Sequence, residues 1–208
     1  MGPLMELVAA LAKIPFTLTL VTALIIAAIW TKTHRAALPE ADLRDYGYAP
    51  RHLWRLAWRR IFTSIFLTVG GWRLYASLLA AGLLVGVLEW NFGTWPAVVL
   101  FFAIHALTLV IEAVVIVAPL RYFQHPLGET LHGTHDVGPS AGYYGCFGGW
   151  LSMSGDSMTL IGIVALYLSL RVLFSLFFAA KDTGDLPADT AHLVAFALGL
   201  ALGDVWPA

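Results

Sequence analysis

Charge is scarce in this chain. Of its 208 residues only 12% are Asp, Glu, Lys or Arg, about half the share of an ordinary soluble domain. The twelve basic and thirteen acidic residues nearly cancel, leaving a formal net charge of −1. No global positive field therefore draws the chain to a phosphate polymer, and no nucleic-acid partner is expected. Cysteine is almost missing: Cys146 alone excludes an internal disulfide and a thiolate metal cage. Period-two alternation is absent too, which argues against strands and a membrane barrel.

Apolar side chains are in excess. They make up 59% of the sequence, and the mean hydropathy is +0.78. One domain of this length cannot bury so many, so lipid is the expected solvent. Six charge-poor runs approach the roughly 20 residues that cross about 30 Å of hydrocarbon. They cover about 8–30, 72–90, 95–120, 139–154, 157–179 and 189–206. The first is too long for a signal peptide and lacks its cleavage site. The fourth is short and rich in glycine. The expectation is an all-α membrane protein, a single transmembrane domain over residues 1–208.

Residues 31–60 carry Lys32, Arg35, Arg44, Arg51, Arg55, Arg59 and Arg60, interleaved with Trp54, Leu56 and Trp58. The pattern reads as an amphipathic connector lying at the lipid interface, its arginines snorkelling and its tryptophans anchoring. A solvated basic loop, interrupted at Pro39 and Pro50, is the alternative. By the positive-inside rule these seven cations predict a cytoplasmic connector and an outward N-terminus. A second connector, 121–138, gathers His125, Glu129, His132, His135 and Asp136. The ligand types would suit a metal, but the spacing is not H-E-x-x-H, and Pro126, Gly128 and Gly133 interrupt any helix that would fix the geometry. A flexible polar loop is expected, with no metal and no cofactor.

The fourth run opens Gly138-Pro139-Ser140-Ala141-Gly142, a G-x-S-x-G pattern. The nucleophile elbow of that pattern needs a strand–turn–helix in a soluble sheet, which the composition forbids. Ser140 should instead start a membrane helix, where a lone serine usually packs or caps. The sixth run holds His192, an ionisable group that is costly inside a span. One run separates the two, so they run parallel, and Ser140 and His192, each expected in a first turn, share one depth. Ala191, Ala195, Gly199 and Gly203 recur at i+4, and Gly138, Gly142, Gly145, Gly148 and Gly149 give the fourth run a similar small surface. Such faces let a serine hydroxyl reach an imidazole nitrogen at roughly 2.6–3.2 Å. His192 would then act as base and acid to a Ser140 nucleophile. A hydroxyl–imidazole contact for packing alone is the competing reading. Asp189 is expected to point to the surface, which leaves a dyad.

These residues carry a resemblance to the rhomboid intramembrane serine proteases. Gly138-Pro139-Ser140-Ala141 resembles the family's Gly-x-Ser-Gly, and Ala191-His192 with Gly199 and Gly203 resembles its sixth-helix Ala-His-x-x-Gly-x-x-x-Gly. The run from Arg60 through Thr63 to Phe66 resembles the Trp-Arg-x-x-Thr-x-x-Phe that leads into its second helix. Glu89 to Thr94 resembles the Glu-x-x-x-Gly-Ser that ends that helix. The similarity covers about residues 54–203. It implies a six-transmembrane-helix rhomboid-like bundle, with its core at about 54–206 and an interfacial first loop. It also implies Ser140 as nucleophile, His192 as base, and Tyr144 packed on the histidine ring. The partners implied are transmembrane protein substrates and the lipid bilayer, and the place a prokaryotic inner membrane. The family orientation, with a cytoplasmic N-terminus, opposes the charge rule and is preferred.

Two departures stand out. The family's oxyanion pair His-x-x-x-Asn falls on Arg73 and Ser77, both donors, so those two and Gly138 are expected around the oxyanion and substrate. Arg73 as a snorkelling anchor is the alternative. Ala141 and Ala195 replace glycines and add a methyl each where helices approach. A catalytically inactive rhomboid-like protein that binds membrane-protein clients is therefore the rival function. His105 and Glu112, seven residues apart on one face, leave a transporter-like reading or a simple pairing across the bundle.

Overall fold

The computed structural model describes residues 2–155, 158–177 and 185–206. Prolines and glycines divide these residues into eleven helices and no sheet. The N-terminal pair is α1 (Pro3–Leu11) and α2 (Pro15–Trp30). Three short helices follow in the connector: α3 (Glu40–Tyr46), α4 (Pro50–Trp54) and α5 (Arg59–Thr63). Then come α6 (Trp72–Phe92), α7 (Thr94–Tyr122), α8 (Pro126–Gly133), α9 (Ser140–Met153), α10 (Met158–Phe177) and α11 (Leu186–Asp204). Among them, α6, α7, α10 and α11 are long and apolar enough to cross a membrane, and α1 with α2 would make a fifth span. These lengths and compositions suggest a multi-pass membrane protein. The fourth expected run, α9, has 14 residues and rises about 21 Å, less than the hydrocarbon thickness. Positions 157, 178 and 179 of the fifth run lie outside the described residues.

The first run is not the continuous helix expected over 8–30. It breaks between α1 and α2 with a bend of 82°. Pro15 excludes the residue before it from helical geometry, and Ile14 sits at φ −129°, ψ 48°. A distant carboxylate completes the break. Glu89 on α6 is 1% exposed and accepts the Phe16 and Thr17 N–H groups at 2.9 and 2.7 Å, with the Thr17 and Thr94 hydroxyls each at 2.7 Å. The Glu89 side chain thus satisfies orphan donors at the start of α2.

The centre of the bundle is α9, held between α7 and α11. On one side, Phe101 and Ile104 of α7 fill the space that a Cβ would need at Gly142 and Gly145. On the other, backbones touch: a Cβ at Gly199 would lie 2.1 Å from the Gly145 carbonyl oxygen, and one at Gly203 would lie 2.8 Å from that of Gly149. The glycines of α9 therefore divide between two neighbours, and Gly142 serves α7 rather than the α11 contact expected of it. Both members of the pairs 145–199 and 149–203 advance by four, which makes α9 and α11 parallel and in register. Leu100, Phe101, Ile104, Cys146 and Ala195 close the core around this contact.

Both connectors are more ordered than loops. In the first, Trp54, Leu56 and Trp58 are exposed while His52, Leu53 and Ile61 are buried, an amphipathic division. Arg60 donates to the Arg44 and Gly47 carbonyls at 2.5 and 3.1 Å and so ties α5 to the end of α3. In the second connector a helix forms where a flexible loop was expected. Pro126 occupies its first turn, where a missing N–H costs nothing. Gly128 lets α8 cross the chain at Arg121, whose amide nitrogen would lie 2.6 Å from a Cβ there.

Candidate active site

The first two turns of α11 tie together four other helices. Asp185, just before them, pairs with Arg73 of α6 at 3.1 Å. Asp189 pairs with Arg171 of α10 at 2.5 Å and accepts the Ser175 hydroxyl. Thr190 donates to Glu112 of α7 at 2.9 Å. His192 lies against Tyr144 of α9, with ring centroids 4.5 Å apart and planes at 33°. Asp189 is thus buried, 3% exposed, and not directed to the surface. Its partners sit on α10, so local helical geometry gave no hint of them.

Ser140 is the first residue of α9. The turn before it depends on Gly138, whose φ of +130° strains any residue with a Cβ, and whose N–H donates to the Ser64 carbonyl at 2.9 Å. His192 is 8% exposed and lies in the second turn of α11, because that helix begins at Leu186. The pairing of 145 with 199 sets residue 194 level with Ser140, so His192 lies two residues, about 3 Å, from that level. Tyr144 stands one helical turn from Ser140 on the same face of α9, and its ring is what His192 covers. No hydrogen bond joins Ser140 to His192. The Nδ1 atom of His192 is buried without a partner, so no acid orients the ring.

The other expected residues go elsewhere. Arg73 is engaged with Asp185, both about half exposed, and Ser77 lies beside the Tyr143 side chain. His105 bonds the Ile61 carbonyl of α5 at 2.9 Å and Glu112 accepts the Thr190 hydroxyl of α11 at 2.9 Å, so each pairs with another element of the bundle. In the second connector Glu129 pairs with Arg121 at 2.9 Å and His135 meets Arg51 at 3.1 Å. Among the described residues no three His, Cys, Asp or Glu side chains converge as a metal site would require. Burial, then the charge of Arg60, pushes His52 down to about 4, and burial lifts Asp136 to about 6.

Arg171, Ser175, Thr190 and Asp185 were not anticipated. The signal for the first was a lone cation in the fifth run, which inside a span calls for a partner. No family model matches this chain, and no characterised protein or solved structure matches it either.

Proposed function

We propose that this chain is a rhomboid-like intramembrane serine protease that cleaves transmembrane segments with a Ser140–His192 dyad. The observation that carries the reading is the parallel, backbone-to-backbone packing of α9 on α11, with the His192 ring against Tyr144, which stands one turn from Ser140 on the same face of α9. In this reading six crossings are the α1–α2 pair, α6, α7, α9, α10 and α11, and the short α9 starts below the headgroups in a mouth that admits water. Ser140 Oγ attacks the scissile carbonyl carbon, and His192 takes its proton and returns it to the leaving amine. Water then repeats the sequence on the acyl-enzyme. The free N–H groups in the first turn of α9, at Ser140 and Ala141, are donors for the oxyanion. The connector 31–60 rests at the lipid surface of an inner membrane, and substrate helices unwind locally to expose a carbonyl.

The second reading is a client-binding protein without hydrolysis. The Arg73–Asp185 pair favours it, because it occupies a side chain that the resemblance sets at the oxyanion. One experiment separates the two: a fluorophosphonate applied to folded protein in micelles. Labelling that disappears in Ser140→Ala and in His192→Ala supports the protease. Absence of labelling in protein that unfolds cooperatively supports the client binder.

A further inference from the structure

Helix α1 carries an apolar stripe that no described residue covers. Leu4, Leu7, Val8 and Leu11 recur at i, i+3, i+4 and i+7 and so share one face, while Glu6 projects from the opposite side. All four are exposed, Leu4 at 72%, and no residue of α1 is buried. The pattern is that of a helix lying against an apolar medium, and the rest of the bundle does not supply that medium.

The 82° bend sets α1 nearly square to α2, and it is held from two sides. The Glu89 carboxyl accepts the Phe16 and Thr17 N–H groups, which a straight helix would return to the Ala12 and Lys13 carbonyls. The Lys13 ammonium lies 4.6 Å from the centre of the Trp90 ring. Both anchors belong to the end of α6. Around them Trp90 and Trp95 are exposed on either side of the turn at Gly93, as tryptophans are at the edge of a bilayer. From this level α2 runs to the first connector, and Ser140 opens α9 at that connector's end, where the Gly138 N–H meets the Ser64 carbonyl. The chain therefore turns into α1 at the edge of the bilayer, on the face opposite Ser140.

We infer that α1 lies flat in that lipid interface, with the stripe of Leu4, Leu7, Val8 and Leu11 sunk among the acyl chains and Glu6 turned to water. Continuity identifies the lipid as the occupant. Leu18, Ile25, Ile26 and Ile29 of α2 are exposed along a membrane-crossing helix, and the stripe of α1 extends that outer apolar surface at a right angle. A protein partner would need more, since one stripe on nine residues falls well short of the roughly 800 Å² per partner of a standard interface. No Lys or Arg lies within α1, so apolar burial holds it and a zwitterionic lipid suffices. With α1 in the plane, the crossing of the α1–α2 pair belongs to α2, whose 16 residues rise about 24 Å. The inference goes beyond the protease reading and uses no chemistry at Ser140.

The test places one spin label at a time on the full-length protein, in a Cys146→Ala background, at Leu4→Cys, Leu11→Cys or Glu6→Cys. The labelled proteins are reconstituted in phosphatidylcholine bilayers, and collision with oxygen, which partitions into lipid, is compared with collision with a water-soluble nickel chelate. An unfolding midpoint equal to that of the unlabelled protein confirms that changes at these exposed positions leave the fold intact. Labels at Leu4 and Leu11 should favour oxygen and report the same shallow depth, whereas the label at Glu6 should favour the chelate. A depth that changes by about 10 Å between Leu11 and Leu4 overturns the inference, because it is the rise of seven residues in a helix standing upright in the bilayer. Equal access of the chelate to all three labels overturns it in favour of a solvated helix. Shielding of Leu4 and Leu11 from both reagents overturns it in favour of a protein cover, such as a second copy of the chain. A Glu6 label that favours oxygen as strongly as the stripe does overturns it as well, because α1 would then be submerged on every side.

Discussion

The rings of Tyr144 and His192 lie 4.5 Å apart and 33° from parallel, joining α9 to α11 one turn from Ser140. The His192 ring, with its Nδ1 unpartnered, has no acid to orient it, so this aromatic contact is a restraint on the ring. Such contacts contribute about 0.5–1.5 kcal/mol, which corresponds to roughly 2–10-fold in rate if expressed at the transition state. Tyr144→Ala should slow Ser140 labelling by that factor, while Tyr144→Phe, which keeps the ring face, should label as the wild type does. Pseudo-first-order labelling rates measure both.

Close approach of α9 and α11 depends on the absence of a single methyl. At Gly199 a Cβ would lie 2.1 Å from the Gly145 carbonyl oxygen, an atom of the backbone that cannot swing aside. Gly199→Ala should therefore destabilise the protein by about 1–3 kcal/mol through overpacking and should separate His192 from Ser140. Gly162 on α10 has nothing within 4 Å of its would-be Cβ. Gly162→Ala should be neutral or stabilising by up to about 1 kcal/mol, since alanine is the better helix former. Thermal unfolding in one detergent compares the pair.

The sequence carried the features that repeat along a helix or follow from counting spans. Apolar runs located α6, α7, α10 and α11, and one intervening run made α9 and α11 parallel. Features created by partners far along the chain were not legible. The first run was read as continuous across Pro15, and the break there is completed by Glu89, 73 residues from Phe16. Asp189 was read as a surface residue because its partners, Arg171 and Ser175, belong to another helix. In 126–133 the residues that break helices in general, Pro126 and Gly128, instead begin one and let it cross the chain at Arg121. At the site, Ser140 and His192 were legible as a pair of depths, whereas the tie from Thr190 to Glu112 and the turn geometry at Gly138 needed three dimensions.

The Glu89 carboxylate holds the bend between α1 and α2. Removing it leaves the Phe16 and Thr17 amides and two hydroxyls without their acceptor, the Thr17 donors buried and the other two half-buried. Glu89→Ala should cost about 1–3 kcal/mol, the range for leaving buried donors without an acceptor. Glu89→Gln keeps the shape and one acceptor oxygen, and should cost less. The measurement is the unfolding midpoint, with circular dichroism to confirm that the helices persist below it.

Arg73 distinguishes an anchor from a catalytic donor. Its guanidinium pairs with Asp185 across a surface where both side chains are about half exposed, and exposed pairs of this kind contribute roughly 0–1 kcal/mol. An oxyanion donor behaves differently, since its loss lowers turnover by about 10²–10³ with little change in stability. From the observed pairing we expect Arg73→Ala to lower the unfolding free energy by no more than about 1 kcal/mol and to leave hydrolysis of a transmembrane reporter within a few-fold of wild type. Asp185→Asn, which removes the partner and spares the guanidinium, should match it in stability and in turnover. A hundred-fold loss confined to Arg73→Ala would instead mean that the arginine leaves Asp185 when substrate binds and stabilises the developing negative charge.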